Sequence, residues 1–246
     1  MLWVLFSVAI LITLENYSSL RAKIPQLANP KGYFWLILNV VVLSYAVAAL
    51  LPVIASFFDF LSVAKLVDLT QSAVYLQFIV FLIIIDSVKF GIHFLMHRNS
   101  FLWKIHSIHH SSTDINTLAA FKHSWLEAFF NLFLISLVSR ILAVELPILT
   151  VTSTLMLSAC IWQHTKIRYF AIPVLDAIVV TPKHHRIHHE LRNDPNHKNY
   201  GLLFTVWDRL LGTFSKNEDP SPKYGIIEPS YPFESDLKQF FYPFYK

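Results

Sequence analysis

Cysteine and glycine are both scarce in this chain of 246 residues. The single cysteine, Cys160, excludes a disulfide framework and an iron–sulfur cluster held by thiolates. The five glycines do not have the spacing of a P-loop or of a dinucleotide-binding G-x-G-x-x-G sequence. We therefore expect any nucleotide reductant to act through another protein.

Charged residues are also few, at 15% of the chain, whereas 54% of the residues are hydrophobic and the mean hydropathy is +0.48. A soluble domain of this size has too little polar surface to cover so many apolar side chains. The net charge of +4 is spread along loops without a basic helix or an aromatic stacking motif. The sequence thus predicts an integral membrane protein near anionic headgroups, with no nucleic-acid partner.

Long apolar segments indicate where the chain crosses the bilayer. Residues 35–58 and 73–96 are each long enough for a transmembrane helix. A third segment, 126–162, is interrupted by polar residues and proline near 140–147, which predicts a hairpin of two helices. With a shorter apolar segment at the amino terminus, we predict an all-α integral membrane protein with four to five transmembrane helices.

Basic residues predict how these helices are oriented. Lys and Arg lie after segment 1–14, around the histidine-rich segments and in the tail, whereas the loop between residues 58 and 71 has only Lys65. The positive-inside rule then places all the histidine clusters on the cytoplasmic side. Because no basic residue precedes Arg21, we expect segment 1–14 to be a retained helix and not a secretory signal.

Histidines are abundant, and most of the twelve lie in three clusters at the ends of apolar segments. Positions 93–97 read His-x-x-x-His, and positions 106–110 and 185–189 contain His-x-x-His-His. Residues three or four apart share a helix face, so each cluster can direct several imidazoles at a metal. One zinc ion uses three or four ligands, so eight imidazoles favour two metals. The candidate ligands are His93, His97, His106, His109, His110, His185, His188 and His189.

The remaining histidines receive different predictions. Imidazole suits zinc, copper, iron and nickel, and two irons with open positions for dioxygen are our first hypothesis. His164 ends the last apolar segment, so we predict a ninth ligand there, with a helix-end cap as the alternative. His123 and His184 are expected to support the ligands without binding metal. His197 lies in a loop rich in Asn, Asp and Pro, which is typical of a solvated surface residue.

Asp86 lies on the same helical stripe as His93 and His97, which follow it by seven and eleven residues. A carboxylate inside an apolar segment normally faces a partner or a cavity. Two interpretations stay open. Asp86 either stands behind metal-bound imidazoles and orients them, or it forms an ion pair with Lys89 one turn away.

The order of these motifs resembles the fatty acid hydroxylase and sterol desaturase superfamily of membrane di-iron enzymes. Outside the histidine clusters, the resemblance rests on Lys-Asn-Tyr-Gly at 198–201 and Trp-Asp-Arg-Leu-Leu-Gly-Thr at 207–213. Asp-Ile-Asn at 114–116 and Trp-Gln-His-Thr at 162–165 are most similar to the branch that contains alkylglycerol monooxygenases and their bacterial relatives.

The resemblance implies one domain over residues 1–246, with a histidine-box core at about 86–214 and a tail at 215–246. Its transmembrane helices would carry a cytosolic, histidine-rich helical cap. Two iron ions, as Fe2+ and Fe3+, would use dioxygen to hydroxylate an unactivated C–H bond of a sterol, fatty acyl or ether lipid. Electrons would come from an external donor, a tetrahydropterin or a redox protein. Asp86 and Asn116 would support the irons.

Alternative functions stay open at this point. Desaturation shares its first hydrogen abstraction with hydroxylation, so the ligand set does not separate the two reactions. A divalent metal transporter would use similar ligands, although it should place them near the bilayer midplane on broken helices. A zinc protease is disfavoured because Phe94 stands where His-Glu-x-x-His has its general base.

Overall fold

The regular structure of the chain is helical throughout the part that the structure describes. The computed structural model describes residues 9–17, 30–167, 173–191, 197–217, 219, 221–227, 231, 235–242 and 244. Within these ranges the β-type pairs are two isolated bridges, Val179 with Phe204 and Glu190 with Tyr224. The α-helices are α1 (9–17), α2 (Pro30–Ile37), α3 (Leu43–Phe60), α4 (Val74–Arg98), α5 (Ser100–His110), α6 (Trp125–Ile141), α7 (Leu146–His164), α8 (Pro173–Ile178), α9 (Pro182–His189), α10 (Val206–Leu210) and α11 (Asp236–Phe240).

Helices α4 and α7 are long and apolar enough to cross a membrane, judged by length and composition. The predicted hairpin of α6 and α7 is present. It turns at Ala143, whose φ of 49° lies in the left-handed region, and Pro147 occupies the first turn of α7. Buried Phe81 and Ile85 of α4 pack with Met156 of α7 in the core of this bundle.

The predicted crossing at residues 35–58 is not one straight helix. A π-helical turn at Leu38–Val42 separates α2 from α3, and Pro52 lies inside α3. The apolar helices here, Gly32–Val41 and Ala48–Phe60, are both shorter than a membrane span. The indole nitrogen of buried Trp35 donates to Asp236 of α11 at 2.9 Å. This bond holds α2 against the carboxyl-terminal part of the chain.

The predicted first segment, 1–14, lies only partly within the described residues. Residues 9–17 form α1, which carries the buried carboxylate of Glu15. This carboxylate accepts hydrogen bonds from the backbone amides of Thr117, at 3.2 Å, and of Lys166, at 2.7 Å. Because Lys166 follows the end of α7, Glu15 ties α1 to the end of the bundle where the histidines lie.

Capping interactions position the helices that carry the histidine clusters. Asn99 follows α4 immediately, and its side-chain oxygen accepts from the amides of Phe101 and Leu102, so that α5 begins at once. At the start of α9, the Nδ1 atom of His184 accepts from the amide of Thr181 at 3.3 Å, as part of a capping box. These caps bring α5 and α9 against the ends of α4 and α7.

Candidate metal centre

Nine histidines meet where α4, α5, α7 and α9 come together. They form two groups, and within each group one ligand atom per residue lies within 4.8 Å of those of all the others. All nine had been predicted as ligands from the sequence; that they bind metal stays a prediction. The first histidine group is His93, His97, His106, His110 and His188, and the second histidine group is His109, His164, His185 and His189.

Neighbouring histidines of one helix divide between the two groups. His109 of α5 belongs to the second group, whereas His110 belongs to the first. In α9, His188 belongs to the first group and His189 to the second. Consecutive residues of a helix point about 100° apart, so one helix supplies donors to two centres. Helix α4 contributes to the first group only, and α7 to the second only.

The spacing of the ring nitrogens is that of ligands around one ion. In the second group, the Nε2 atom of His109 lies 3.2 Å from that of His164 and 3.1 Å from that of His189. The Nε2 atom of His185 lies 3.0 Å from that of His189. With metal–nitrogen bonds of about 2.0–2.1 Å, two ligands of one metal stand about 3 Å apart.

Backbone carbonyls fix the orientation of three of these imidazoles. A neutral imidazole has one N–H, so an Nδ1–H donor leaves a lone pair on Nε2, available to a metal. Each carbonyl accepts from Nδ1 and so turns Nε2 toward the centre. The pairs are His93 with Tyr200 at 2.7 Å, His188 with Lys198 at 2.9 Å and His164 with Cys160 at 2.8 Å.

The pair of His93 and His106 tests whether a metal fits. The Nδ1 atom of His93 donates to a carbonyl, and that of His106 lies 3.1 Å from a carboxylate oxygen of Glu127. Both Nε2 atoms then carry lone pairs, yet they lie 3.0 Å apart. Two lone pairs do not hydrogen bond to each other, whereas a cation between them binds both. The donor set therefore fits a metal ion.

Burial keeps five imidazoles of the two groups neutral, as metal binding requires. Loss of solvation and the neighbouring imidazoles hold the pKa of each of these five well below the usual 6.5. The Nε2 atoms of His110 and His188 are buried and have no hydrogen-bond partner among the described residues. A metal would satisfy these nitrogens. The five imidazoles with lowered pKa are His109, His110, His185, His188 and His189.

The Lys-Asn-Tyr-Gly sequence at 198–201 supplies two of the three orienting carbonyls, those of Lys198 and Tyr200. Asn199 between them has a φ of 57°, a left-handed conformation that asparagine tolerates. Buried Asp208 accepts from the amides of Tyr200, at 2.8 Å, and Gly201, at 2.7 Å. Segment 207–213 therefore binds the backbone of segment 198–201, whose carbonyls orient ligands of the first group.

The hydrogen bonds of Asp86 match neither interpretation. Its fully buried carboxylate accepts from the amides of Leu203, at 3.0 Å, and Phe204, at 3.2 Å, and from the indole of Trp207, at 2.7 Å. Seven residues of α-helix rise about 10 Å, so the backbone of Asp86 lies about 10 Å from that of His93 along α4. The carboxylate therefore anchors the chain that follows the 198–201 loop and does not stand behind an imidazole.

Lys89 and Asn116 also make contacts that differ from the predicted ones. Lys89 donates to the side chain of Asn131 at 3.0 Å, which takes the place of the proposed pair with Asp86. Asn116, expected to support the irons, caps the 3-10 helix that follows it. Its side-chain oxygen accepts from the amides of Leu118, at 3.0 Å, and Ala119, at 3.1 Å. The role of Asn116 is therefore local to that turn.

Glu127, which was not predicted from the sequence, lies in the first turn of α6. One of its buried carboxylate oxygens lies 3.1 Å from Nδ1 of His106 and 3.2 Å from Nδ1 of His123. Burial, the largest cause, lowers the pKa of His123, but charge and hydrogen-bond interactions with Glu127 and Cys160 together outweigh it and raise this pKa to about 10. The His123 ring stacks on His109 at 4.3 Å. An acidic residue inside a predicted membrane segment was the signal that could have revealed Glu127.

The two other histidines outside the groups differ from each other. His184 caps α9 and belongs to neither group, so it supports its neighbours through the backbone. The interpretation of His197 as a solvated surface residue is wrong. Its half-buried ring lies 4.6 Å from that of His97, and its Nδ1 donates to the carbonyl of His188 at 3.0 Å. Loop composition does not reveal such a contact with a distant helix.

Apolar membrane-length helices and buried histidine groups able to bind metal define a helical, membrane-associated protein with a candidate metal centre. Comparison with known families agrees. The fatty acid hydroxylase family matches residues 78–213, more than half of the chain, and the chain belongs to this family.

Curated relatives carry the names of lipid-modifying enzymes. Human alkylglycerol monooxygenase is 29% identical over 160 residues, which cover 65% of this chain and 35% of the human protein. Ornithine lipid hydroxylase OlsE of Rhizobium tropici is 28% identical over 145 residues, which cover 59% of this chain and 44% of that enzyme. The chain therefore spans less than half the length of these relatives. No solved structure matches the chain at a significant level.

Proposed function

We propose that this protein is a membrane-bound di-iron oxygenase that hydroxylates an unactivated C–H bond of a lipid with dioxygen. The observation that carries the proposal is the convergence of nine histidines in two adjacent groups in a chain of the fatty acid hydroxylase family. The names of the relatives, a monooxygenase of alkylglycerols and a hydroxylase of ornithine lipids, support a lipid substrate.

The chemistry of the reaction favours iron among the metals that imidazole binds. Zinc has no redox chemistry, whereas a pair of irons supplies the activation of dioxygen that an unactivated C–H bond requires. The protein would contribute the arrangement of donors. Carbonyls and the Glu127 carboxylate orient imidazoles, and burial keeps them neutral and shields the centre from bulk water.

The proposed membrane arrangement is a single domain with four to five crossings and the histidine groups on the cytoplasmic side. Helices α4 and α7 support two of these crossings. At the end of the bundle opposite the histidines, the described basic residues are few, and Arg140 there is paired with Asp59 at 2.6 Å. Lys104, Lys122 and Lys166 lie near the histidine end, as the positive-inside rule expects.

The electron donor would be external. The glycines of the chain do not form a nucleotide-binding loop, so we propose that a redox protein or a tetrahydropterin supplies electrons to the irons. The partners of the protein would then be a membrane lipid and this reductant, without a nucleic acid.

Lipid mass spectrometry under oxygen-18 gas tests the proposal. Cells that express the wild-type chain should contain a lipid with one heavy oxygen atom, and cells that express His109→Ala should lack it, because the second group then has three donors. The matched control is His184→Asn, which removes a buried imidazole outside both groups but keeps an acceptor for the Thr181 amide. This control should retain the labelled product.

The same experiment separates the alternatives. A lipid that lost two hydrogens and gained no label would identify a desaturase of the same family. An unchanged lipid profile, together with metal uptake that depends on His109, would support a metal transporter and contradict the proposal.

A further inference from the structure

The short helices α8 and α10 expose apolar side chains on neighbouring surfaces. On α8 these are Val174, 68% exposed, and Ile178, 54% exposed; on α10 they are Val206, 43%, and Leu210, 72%. Each pair is separated by four residues and so shares one face of its helix. Leu211, directly after α10, is 56% exposed. We call α8, α10 and Leu211 the ledge. Contiguous apolar surface of this kind marks a contact with a membrane or a protein.

Backbone and side-chain bonds join the two helices of the ledge. The amide of Thr205 donates to the carbonyl of Ile178 at 2.9 Å, and its hydroxyl donates to the carbonyl of Ala177 at 2.6 Å. The amide of Val180 donates to the carbonyl of Leu203 at 2.9 Å. Satisfied backbone groups are what a segment in a water-poor environment requires.

The position of the ledge along α4 sets its depth. Asp86 accepts hydrogen bonds from the segment that leads into α10, and Asp86 is the midpoint of α4. That midpoint is about 18 Å from the first residue of the helix, Val74, and about 10 Å from His93. The hydrocarbon core of a bilayer is about 30 Å thick. The ledge therefore lies within the length over which α4 can cross the membrane.

Helix α4 exposes apolar side chains up to the level of Asp86, where the ledge is attached. Ile79 and Ile83 are exposed along the half of α4 that precedes Asp86. The apolar surface of the spanning helix thus reaches the depth of the ledge. Arg209, between the apolar residues of α10, is exposed and its guanidinium lies 3.9 Å from the centre of the Phe214 ring. The Nε of Arg209 also donates to the hydroxyl of Thr205 at 3.3 Å, so its charge is held against the protein.

We propose that the ledge is embedded in the hydrocarbon of the bilayer, at the level of the middle of α4, with Val174, Ile178, Val206, Leu210 and Leu211 in contact with acyl chains. A second copy of the chain and a soluble partner are the other occupants that an apolar surface could take. Ile79 precedes Asp86 by seven residues and so lies on the stripe of α4 to which the segment before α10 is bonded. Because Ile79 is exposed on that stripe, the bilayer is favoured. The proposal requires membrane association and does not depend on the oxidation chemistry.

The embedded ledge would set the height of the metal centre. Val180 and Thr181 connect the ledge to the start of α9, and the segment before α10 includes the carbonyls that orient His93 and His188. Contact with lipid at the ledge would therefore fix the distance between the histidine groups and the bilayer surface.

Site-directed spin labelling tests this proposal without an activity measurement. A nitroxide is attached to Leu210→Cys and, in a separate protein, to Ile178→Cys, both with Cys160→Ser so that one thiol remains. The purified chains are reconstituted in liposomes of phosphatidylcholine and phosphatidylglycerol. The matched control is Ile227→Cys, since Ile227 is 70% exposed and its segment pairs with the opposite end of α9 through Glu190 and Tyr224.

Collision with oxygen, which concentrates in lipid, is compared with collision with a water-soluble nickel chelate. We expect labels at 210 and 178 to collide several-fold more with oxygen relative to nickel than the label at 227 does. An equal ratio at all three sites would overturn the proposal. So would low collision with both reagents at 210 and 178, because that result means coverage by protein; spin–spin broadening would then identify a second copy. Two ledge sites are used so that one misfolded variant does not decide the result.

Discussion

The two histidine groups offer the same donor atoms but differ in how the protein supports them. In the first group, three of five imidazoles have an oxygen at Nδ1: those of His93, His106 and His188. In the second group, one of four has such a partner, His164. The other three, whose Nδ1 atoms have no hydrogen-bond partner among the described residues, are His109, His185 and His189.

The number of imidazole donors in a group and the number of them oriented by an oxygen at Nδ1 are therefore two separate properties. An oxygen at Nδ1 fixes the rotation of the ring and raises the basicity of Nε2, which strengthens metal binding. The first group has both more donors and more support, so we expect it to hold its metal more tightly. The second group has freer rings and should tolerate changes of geometry at its metal more readily.

Removing one imidazole from the second group should have the largest effect, and removing one from the first group is the comparison. His97→Ala and His189→Ala are a matched pair, because neither ring has an oxygen partner at Nδ1 among the described contacts. The first group keeps four donors, whereas the second keeps three. We expect His189→Ala to retain about one metal per chain and His97→Ala to retain both, since the first group keeps the four ligands of a closed site and the second does not. Metal analysis of the purified proteins checks this, and equal losses would contradict the difference between the groups.

Glu127→Gln should weaken the first group selectively. The change removes the charge beside Nδ1 of His106, and loss of such an outer partner lowers metal affinity by about 10- to 100-fold. Competition with a chelator should release one metal earlier than in the wild type. Glu145→Gln, at an exposed position before α7, is the control and should leave both affinities unchanged. Early release of both metals would show that Glu127 serves the two groups equally.

Acid should destabilise the metal-free protein. Burial holds the pKa of His109, His110, His185, His188 and His189 below 6.5 in the folded chain, so the unfolded chain binds more protons in mildly acidic solution. The contribution of these five groups to stability is therefore complete above about pH 6.5 and falls as the pH drops below this value. Thermal unfolding in detergent between pH 7.5 and 5 measures the effect. A melting temperature that is constant over this range would contradict it.

The smallest effect is expected outside both groups. Asn116→Ala removes the cap of the 3-10 helix and should cost about 1 kcal/mol of stability. The metal content should remain that of the wild type, because the described side-chain bonds of Asn116 are to Asp114, Leu118 and Ala119 and not to a histidine. A fall in metal content would restore the prediction that Asn116 supports the irons.

Local periodicity predicted much of this architecture from the sequence. The apolar run of α4, the hairpin of α6 and α7 and the nine histidines follow from composition and from spacings of three and four residues. The break between α2 and α3 was not predictable in this way. Nor was the bond that holds α2, because it joins Trp35 to Asp236, which are 201 residues apart in the chain.

The supports of the metal centre were harder to predict than its candidate ligands. An orienting carbonyl can come from any residue type, so the sequence does not mark Lys198, Tyr200 or Cys160 as partners of particular histidines. The partners of Asp86 are more than a hundred residues away, and the backbone path decides them. Spacing also did not assign His109 and His110 to different groups, because that requires the positions of all four helices.

The shared use of α5 and α9 couples the two centres mechanically. Each of these helices holds donors of both groups, whereas α4 and α7 each serve one. A small rotation of α5 about its axis would move His109 and His110 together, and with them the separation of any two ions bound there. The distance between the metals is thus a property of helix packing, which a ligand or a membrane contact far from the imidazoles can change.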